Sequence, residues 1–395
     1  MLARSNSQTA PKPLIVLDGP SALTMYRDRD DRLQLAEDTE YESVDEPDDV
    51  LWIGDDPVPL AELNVLGARC EPANSERTSA IDDTLSRTRA TDLSRCSTRS
   101  REIKAVKFDE LGIRPPEQGS PLYLLIPNAA ARRRVQNVRQ RILGSSIPRD
   151  AFKKLGECVL VPTPEFCFLL LACHVELVEL IRLGMELCGH YRLVGGPTNN
   201  LAQSNRTIYN CDALTTPDRL RAFVESMKGF PGRTRALKAC RHIASGACSP
   251  METNVYLLLC LPSHLGGYAL PKPILNAKRP VNRDAASFTL SHTLIPDLYW
   301  ASARLDIEYD SDEFHAYSES LRKGARRTLA LRAMHIDVMS LTYDMVCDER
   351  AFESIARLIA RRVGKRLVLS KAAQAKRHQL RRTVLSQDTG NRSQA

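Results

Sequence analysis

From Leu294 to His315 the chain reads LIPDLYWASARLDIEYDSDEFH. Apolar and acidic residues alternate from Leu305 to Asp310. A period of two marks a strand, with Leu305, Ile307 and Tyr309 on one face and Asp306, Glu308 and Asp310 on the other. A preceding strand that ends in Pro296-Asp297, laid beside this one, brings several carboxylates onto one patch. Close carboxylates repel unless a cation or a proton lies between them. Hard oxygen donors of this kind suit Mg²⁺ or Mn²⁺. The same alternation also fits a half-exposed strand whose acids are solvated.

Working outward, the sharpest local signal is Ser249-Pro250-Met251-Glu252. Serine at the cap, proline next and glutamate three after the cap make a capping box, so a helix starts there and runs to about residue 261. Strands are expected at 274–279, 289–297 and 305–310. A helix follows at 317–334, a strand at 336–341 and an amphipathic helix at 350–363. Helix, three strands, helix, strand, helix is the order of an α/β/α sandwich on a mixed sheet.

This set resembles the PD-(D/E)xK nuclease core, and within it the DUF559-type, very-short-patch-repair-like endonuclease domain. The residues that carry the likeness are Ser249-Pro250-Met251-Glu252, Pro296-Asp297, Ile307-Glu308-Tyr309-Asp310, Glu313-Phe314-His315 and Arg326-Arg327, over roughly 248–345. The resemblance implies a restriction-endonuclease-like αβββαβ core and metal-dependent hydrolysis of DNA phosphodiester bonds, as an endonuclease or nickase. Asp297 and Glu308 would hold Mg²⁺ or Mn²⁺, with Glu252 completing the site. Asp310 takes the place of the usual lysine. His315 would serve as general acid or base, and Arg326 and Arg327 would contact phosphate. Each residue has a plainer reading too. Glu252 can serve the capping box, His315 a loop, and the arginines a solvated helix face. Two positions depart from the pattern: Ser311 stands where glycine is expected, and Gly324 where a helix acid is expected. These departures also fit a catalytically inactive DNA-binding or antitoxin-like regulator on the nuclease fold.

Residues 121–190 resemble, less closely, the segment that precedes this domain in actinobacterial proteins related to the AbiEi family of antitoxin-like regulators. The Thr163-Pro164-Glu165 helix start and the apolar run ending in Leu171-Ala172 carry that likeness. A toxin or other regulatory protein partner is what it implies.

The remainder of the chain sets the frame. Its 395 residues suggest two or three domains. We expect a loosely ordered N-terminal region at 1–120, acidic at 28–56, a mixed α/β module at 121–245, the nuclease-like domain at 246–365 and a basic tail at 366–395. In the first region the acidic run to residue 49 reads as loop, with strands near 13–16 and 50–53. Strands are expected at 121–127 and 158–161. Helices are expected at 166–173, 175–188, 219–227 and 233–244, with a Gly/Asn/Ser loop at 195–210. Arg132, Arg133 and Arg134 form a dense cationic cluster that fits either a nucleic-acid contact or an exposed surface. The net charge of +7 is modest and concentrated toward the C-terminus, which suits a polyanionic partner such as DNA. The eleven cysteines show no zinc spacing and sit largely in apolar runs, as expected in a reducing compartment. No stretch reads as a signal peptide or membrane span, so a cytoplasmic protein with no membrane partner is expected.

Overall fold

The computed structural model describes residues 14–41, 50–53, 56–59, 85–87, 96, 98–143, 147, 150–201, 204, 206–310, 318–368 and 370–385. Leu14, Ile15, Val16 and Leu17 are apolar without a break, the pattern of a strand covered on both faces, and all four are buried. They contain β1 (Ile15–Val16), which leads into α1 (Gly19–Tyr41). A hairpin of β2 (Val50–Ile53) and β3 (Asp56–Pro59) follows, then β4 (Leu85–Arg87) and α2 (Ser100–Lys104). β5 (Leu122–Ile126) and β6 (Val138–Ile142) pair in parallel. β7 (Phe152–Leu155) and β8 (Val159–Pro162) pair antiparallel. β1 lies parallel on β8, giving a sheet of order β1-β8-β7-β4.

α1 and a following helix, α3 (Pro164–Leu171), pack against β8 of this sheet. Thr163 caps α3, its hydroxyl accepting from Phe166 N, and Pro164 takes the first helical position. Every residue of α3 is buried, which is why it is apolar all round. Phe166 meets Phe152 and Phe230 edge-on, at 5.2 and 5.5 Å between ring centres. Each such pair contributes about 0.5–1.5 kcal/mol beyond the area it buries. α4 (Leu177–Leu187) precedes the antiparallel pair β9 (Tyr191–Val194) and β10 (Arg206–Tyr209), and α5 (Pro217–Ser226) and α6 (Arg233–Cys240) close this half.

The second half begins at α7 (Pro250–Cys260), capped by Ser249 as its sequence predicts. β11 (Ile274–Leu275) follows, then the pair β12 (Arg279–Pro280) and β13 (Thr293–Leu294), β14 (Leu298–Trp300), β15 (Leu305–Asp310), α8 (Ser318–Ala333) and β16 (Asp337–Thr342). β11, β14, β15 and β16 form one sheet in that order. β11–β14 and β14–β15 are antiparallel and β15–β16 parallel. α9 (Tyr343–Cys347), α10 (Glu349–Arg362) and α11 (Lys371–Leu385) complete the chain. The class is mixed α/β, as expected. One apolar core runs from Leu14 to Val384, and a smaller cluster of Leu294, Tyr299, Ala330, Leu331 and Ile336 lies beneath α8.

Several elements differ from the sequence reading. The acidic stretch after Arg27 is not loop: α1 continues to Tyr41. Its acids find basic partners brought in from elsewhere, Asp28 on Arg114 at 2.5 Å and Asp30 on Arg192 at 3.0 Å. Buried Arg27 pairs with buried Glu186 at 2.6 Å, anchoring α1 to α4. The loop expected at 195–210 ends in a strand, β10. The strand expected at 289–297 is confined to Thr293–Leu294. It breaks at Pro296, which has no N–H to give a ladder, and a new strand starts after Asp297. Most of residues 42–99, within the region expected to be loosely ordered, lie outside the described residues.

Within the stretch read as a basic tail, α11 folds back onto the domain. Arg377 stacks over Tyr268 and Arg381 over Phe352, and Arg381 donates to the carbonyls of Val346 and Cys347 at the end of α9. The approach depends on Gly266, whose φ is +97° and whose absent side chain leaves room for the Lys376 carbonyl, 2.3 Å from where a Cβ would stand. Gly266→Ala should therefore lower stability by on the order of 2–3 kcal/mol. A urea titration followed by circular dichroism checks this, and an unchanged midpoint would count against the docking of α11.

Candidate functional site

β15 is the second strand in from one edge of a four-stranded sheet and has neighbours on both sides. Its apolar face, Leu305 and Ile307, enters the main core. The acidic face does not reach water as a half-exposed strand would. Asp306 is fully buried, and Glu308 is 6 % exposed. The ladder explains this. Asp306 stands opposite Tyr299 on one side and Val338 on the other, and both pack in the apolar cluster beneath α8.

Asp297 immediately precedes β14, whose Leu298 pairs with Ile307. That register sets Asp297 beside Glu308. Asp297 Oδ2 accepts from the Tyr309 N–H at 3.0 Å, and Asp297 is itself buried. Three carboxylates, those of Asp297, Asp306 and Glu308, thus share one buried patch. Asp310, also on the acidic face, is half-buried at the end of the strand.

The charge of this patch is met by Arg327, from α8. Its guanidinium grips Glu308 with two parallel hydrogen bonds, at 2.7 and 3.1 Å. It also donates to the Ile295 carbonyl and lies 4.0 Å from Asp297 Oδ1. Burial alone would loosen the Arg327 proton, but the charge and hydrogen bonds of Glu308 outweigh that and raise its pKa. Arg326, one residue earlier on the helix, is exposed. The two arginines therefore do different things: one is turned inward onto carboxylates and the other faces solvent.

Asp306 is held in its neutral form. Burial, then the neighbouring negative charge of Glu308 and a hydrogen bond to it, keep its pKa well above the usual carboxylate range. Ionised, neither of its oxygens would find a donor among the described residues. Protonated, it can donate to Glu308.

Glu252 is engaged at the start of α7. Its backbone N–H donates to the Ser249 hydroxyl at 3.1 Å. Its carboxylate accepts from the Cys248 N–H at 2.9 Å and from the Asn276 side chain. The capping box forms with a one-residue offset, because the reciprocal bond goes to Cys248 rather than to Ser249. Asn276 also donates its backbone N–H to the Asp297 carbonyl at 2.9 Å, so it ties the start of α7 to the Pro-Asp segment.

The other expected site residues fall elsewhere. His315 and the neighbouring Ser311 lie outside the described residues. Arg132, Arg133 and Arg134 are exposed on the connection between β5 and β6, in a different sheet. There Arg133 is spent locally, on the carbonyls of Ala130 and Arg132. Gly324 is exposed, with no described residue within 4 Å of where a side chain would start. Cys167, Cys188 and Cys240 are buried free thiols, as their apolar setting predicts. Asn276 was not foreseen, and nothing in its local sequence marks it.

Among the described residues no group of three or more His, Cys, Asp and Glu side chains is arranged to hold a metal ion as it stands, and no helix is long and apolar enough to cross a membrane. No family model, no curated protein and no solved structure matches the chain.

The state of Asp306 has a measurable consequence. In the unfolded chain it ionises near pH ~4, whereas in the folded chain it keeps its proton to higher pH. The folded state binds the extra proton, so this site's contribution to stability is complete below the unfolded pKa and falls as pH rises. Asp306→Asn removes the titration and keeps the shape. Its melting temperature should gain on the wild type progressively from about pH 5 to about pH 8. A gap that stays constant across that range would mean that Asp306 is ionised.

Proposed function

We propose that the second half of the chain is a PD-(D/E)xK-type nuclease domain that hydrolyses DNA phosphodiester bonds at the Asp297–Glu308 patch. One observation carries the reading. Two carboxylates, one on β15 and one just before its antiparallel neighbour β14, converge in a buried patch beside an arginine, in an element order of helix, three sheet strands, helix and strand. Burying this much negative charge costs stability, and a fold has little reason to keep it without a use for it.

The donor set suits a hard divalent cation. Asp297 and Glu308 would hold it, with neutral Asp306 beside them on the same patch. Such a cation, when bound, would polarise a phosphate and acidify water. The chain's own residues do the rest. Tyr309 N–H fixes the Asp297 carboxylate, Asn276 sets the segment that carries it, and exposed Arg326 is available to a phosphate. Glu252 acts here as a positioning residue at the helix start, through Asn276.

A second reading is favoured by one specific observation. Arg327 already neutralises Glu308, which suits a domain that binds DNA without cutting it. Nicking of supercoiled plasmid by the full chain, with Mg²⁺, Mn²⁺ or chelator, separates the two. Metal-dependent nicking should be lost by at least about a hundredfold in Asp297→Ala, as expected when a group central to the chemistry is removed. Duplex binding that persists in chelator, with no nicking under any metal, would instead establish the binding-only reading.

A further inference from the structure

We propose that Arg327 is a built-in gate: its guanidinium closes the carboxylate patch at rest, and a divalent cation enters only as Arg327 leaves Glu308. This rests on the cation-binding reading given above. Three observations lead to it. The fork onto Glu308 and the 4.0 Å approach to Asp297 place a positive charge where a cation bridging those carboxylates would compete with it. The side chain is 24 % exposed, so it has a way out that a fully buried arginine would lack. Position 324, on the turn of α8 before it, leaves room among the described residues. Side chains of a helix lean toward its N-terminus, and at position 324, one turn earlier, there is a glycine with no described residue within 4 Å of its missing Cβ.

Gly324 also explains why the gate is closed at rest. An acid at 324 would give Arg327 a partner three residues away on its own helix and hold it outward. Glycine offers none, so the guanidinium turns in to Glu308. Once displaced by a cation, Arg327 stands at the rim of the patch, where a bidentate donor suits a phosphodiester. It would then be a positioning residue for the bound strand, released only when the cation is in place.

The gate makes a prediction about affinity rather than activity. A cation that must first displace Arg327 binds with an apparent affinity reduced by the fraction of open state. Mn²⁺ binding to the full chain can be measured by isothermal titration calorimetry, with Asp297→Asn as the background for cations held elsewhere. Arg327→Met should bind Mn²⁺ about tenfold more tightly than the wild type, and Mn²⁺ should raise its melting temperature by more than it raises that of the wild type.

Gly324→Glu, at an exposed helix position with room for a side chain, keeps the fold even if Arg327→Met does not. It should also tighten binding, and should add little in the Arg327→Met background if it acts through Arg327. Gly324→Gln should leave affinity unchanged. Affinity that is unchanged or weaker in both Arg327→Met and Gly324→Glu, while Asp297→Asn abolishes it, overturns the gate and leaves the cation site standing. No Asp297-dependent Mn²⁺ binding in any variant overturns both.

Discussion

Three carboxylates, two on β15 and one just before β14, cannot all be charged and buried without a cation beside them. This constraint organises the second half of the molecule. One proton and one guanidinium meet it: Asp306 is kept neutral, and Arg327 spans Glu308 while approaching Asp297. The apolar cluster under α8 enforces the arrangement, because Tyr299 and Val338 flank Asp306 and leave it fully buried. α8 thus has two tasks at once. Ala330 and Leu331 bury its apolar side, and Arg327, a turn earlier, supplies the charge that makes that burial tolerable next to acids.

How much of this the sequence reveals depends on what each feature rests on. Features set by local chemistry are legible. The Ser249-Pro250 start, the Thr163-Pro164 start and the period-two alternation of β15 all lie where their residues place them, because caps and alternation involve neighbours in the chain. Pairing of β15 with the Pro-Asp segment is legible too, although the strand begins after Asp297 rather than ending at it. What sequence does not reveal is environment. The same alternation fits a solvated face and a buried one, and the choice turns on Tyr299, Val338 and α8, all remote in sequence. Asp306 belonged to the acidic face from the start, yet its burial is a tertiary fact. Arg326 and Arg327 are adjacent and chemically identical. Only the rotation of about 100° per residue along a helix separates the one that faces solvent from the one that faces Glu308.

The first half makes the same point through composition. An acidic run after Arg27 reads as loop because like charges repel and apolar periodicity is absent. It is helical because Arg114 and Arg192, far along the chain, supply partners for Asp28 and Asp30. Arg27 and Glu186 go further, forming a pair that is almost wholly excluded from solvent. Glu186 also accepts from the Leu193 N–H, and Arg27 donates to the Leu201 carbonyl. Replacing one member of such a pair costs far more than the pair contributes, since it strands the other charge. Composition treats these residues as surface, whereas the fold uses them as an internal joint between α1, α4 and β9.

The two readings of function therefore differ in one physical variable, the position of the Arg327 guanidinium. With Arg327 on Glu308 the patch is neutralised from within and has no need of a metal. With Arg327 withdrawn, Asp297 and Glu308 face each other with oxygen donors and no counter-charge, which a divalent cation could supply. Gly324 bears on this same variable, because it gives Arg327 no side-chain partner one turn earlier on α8. A glycine in a helix costs about 1 kcal/mol relative to alanine. At position 324 no close contact among the described residues demands it. What it does is leave Arg327 with no acid within one turn on α8, since 323 is lysine, 330 alanine and 331 leucine.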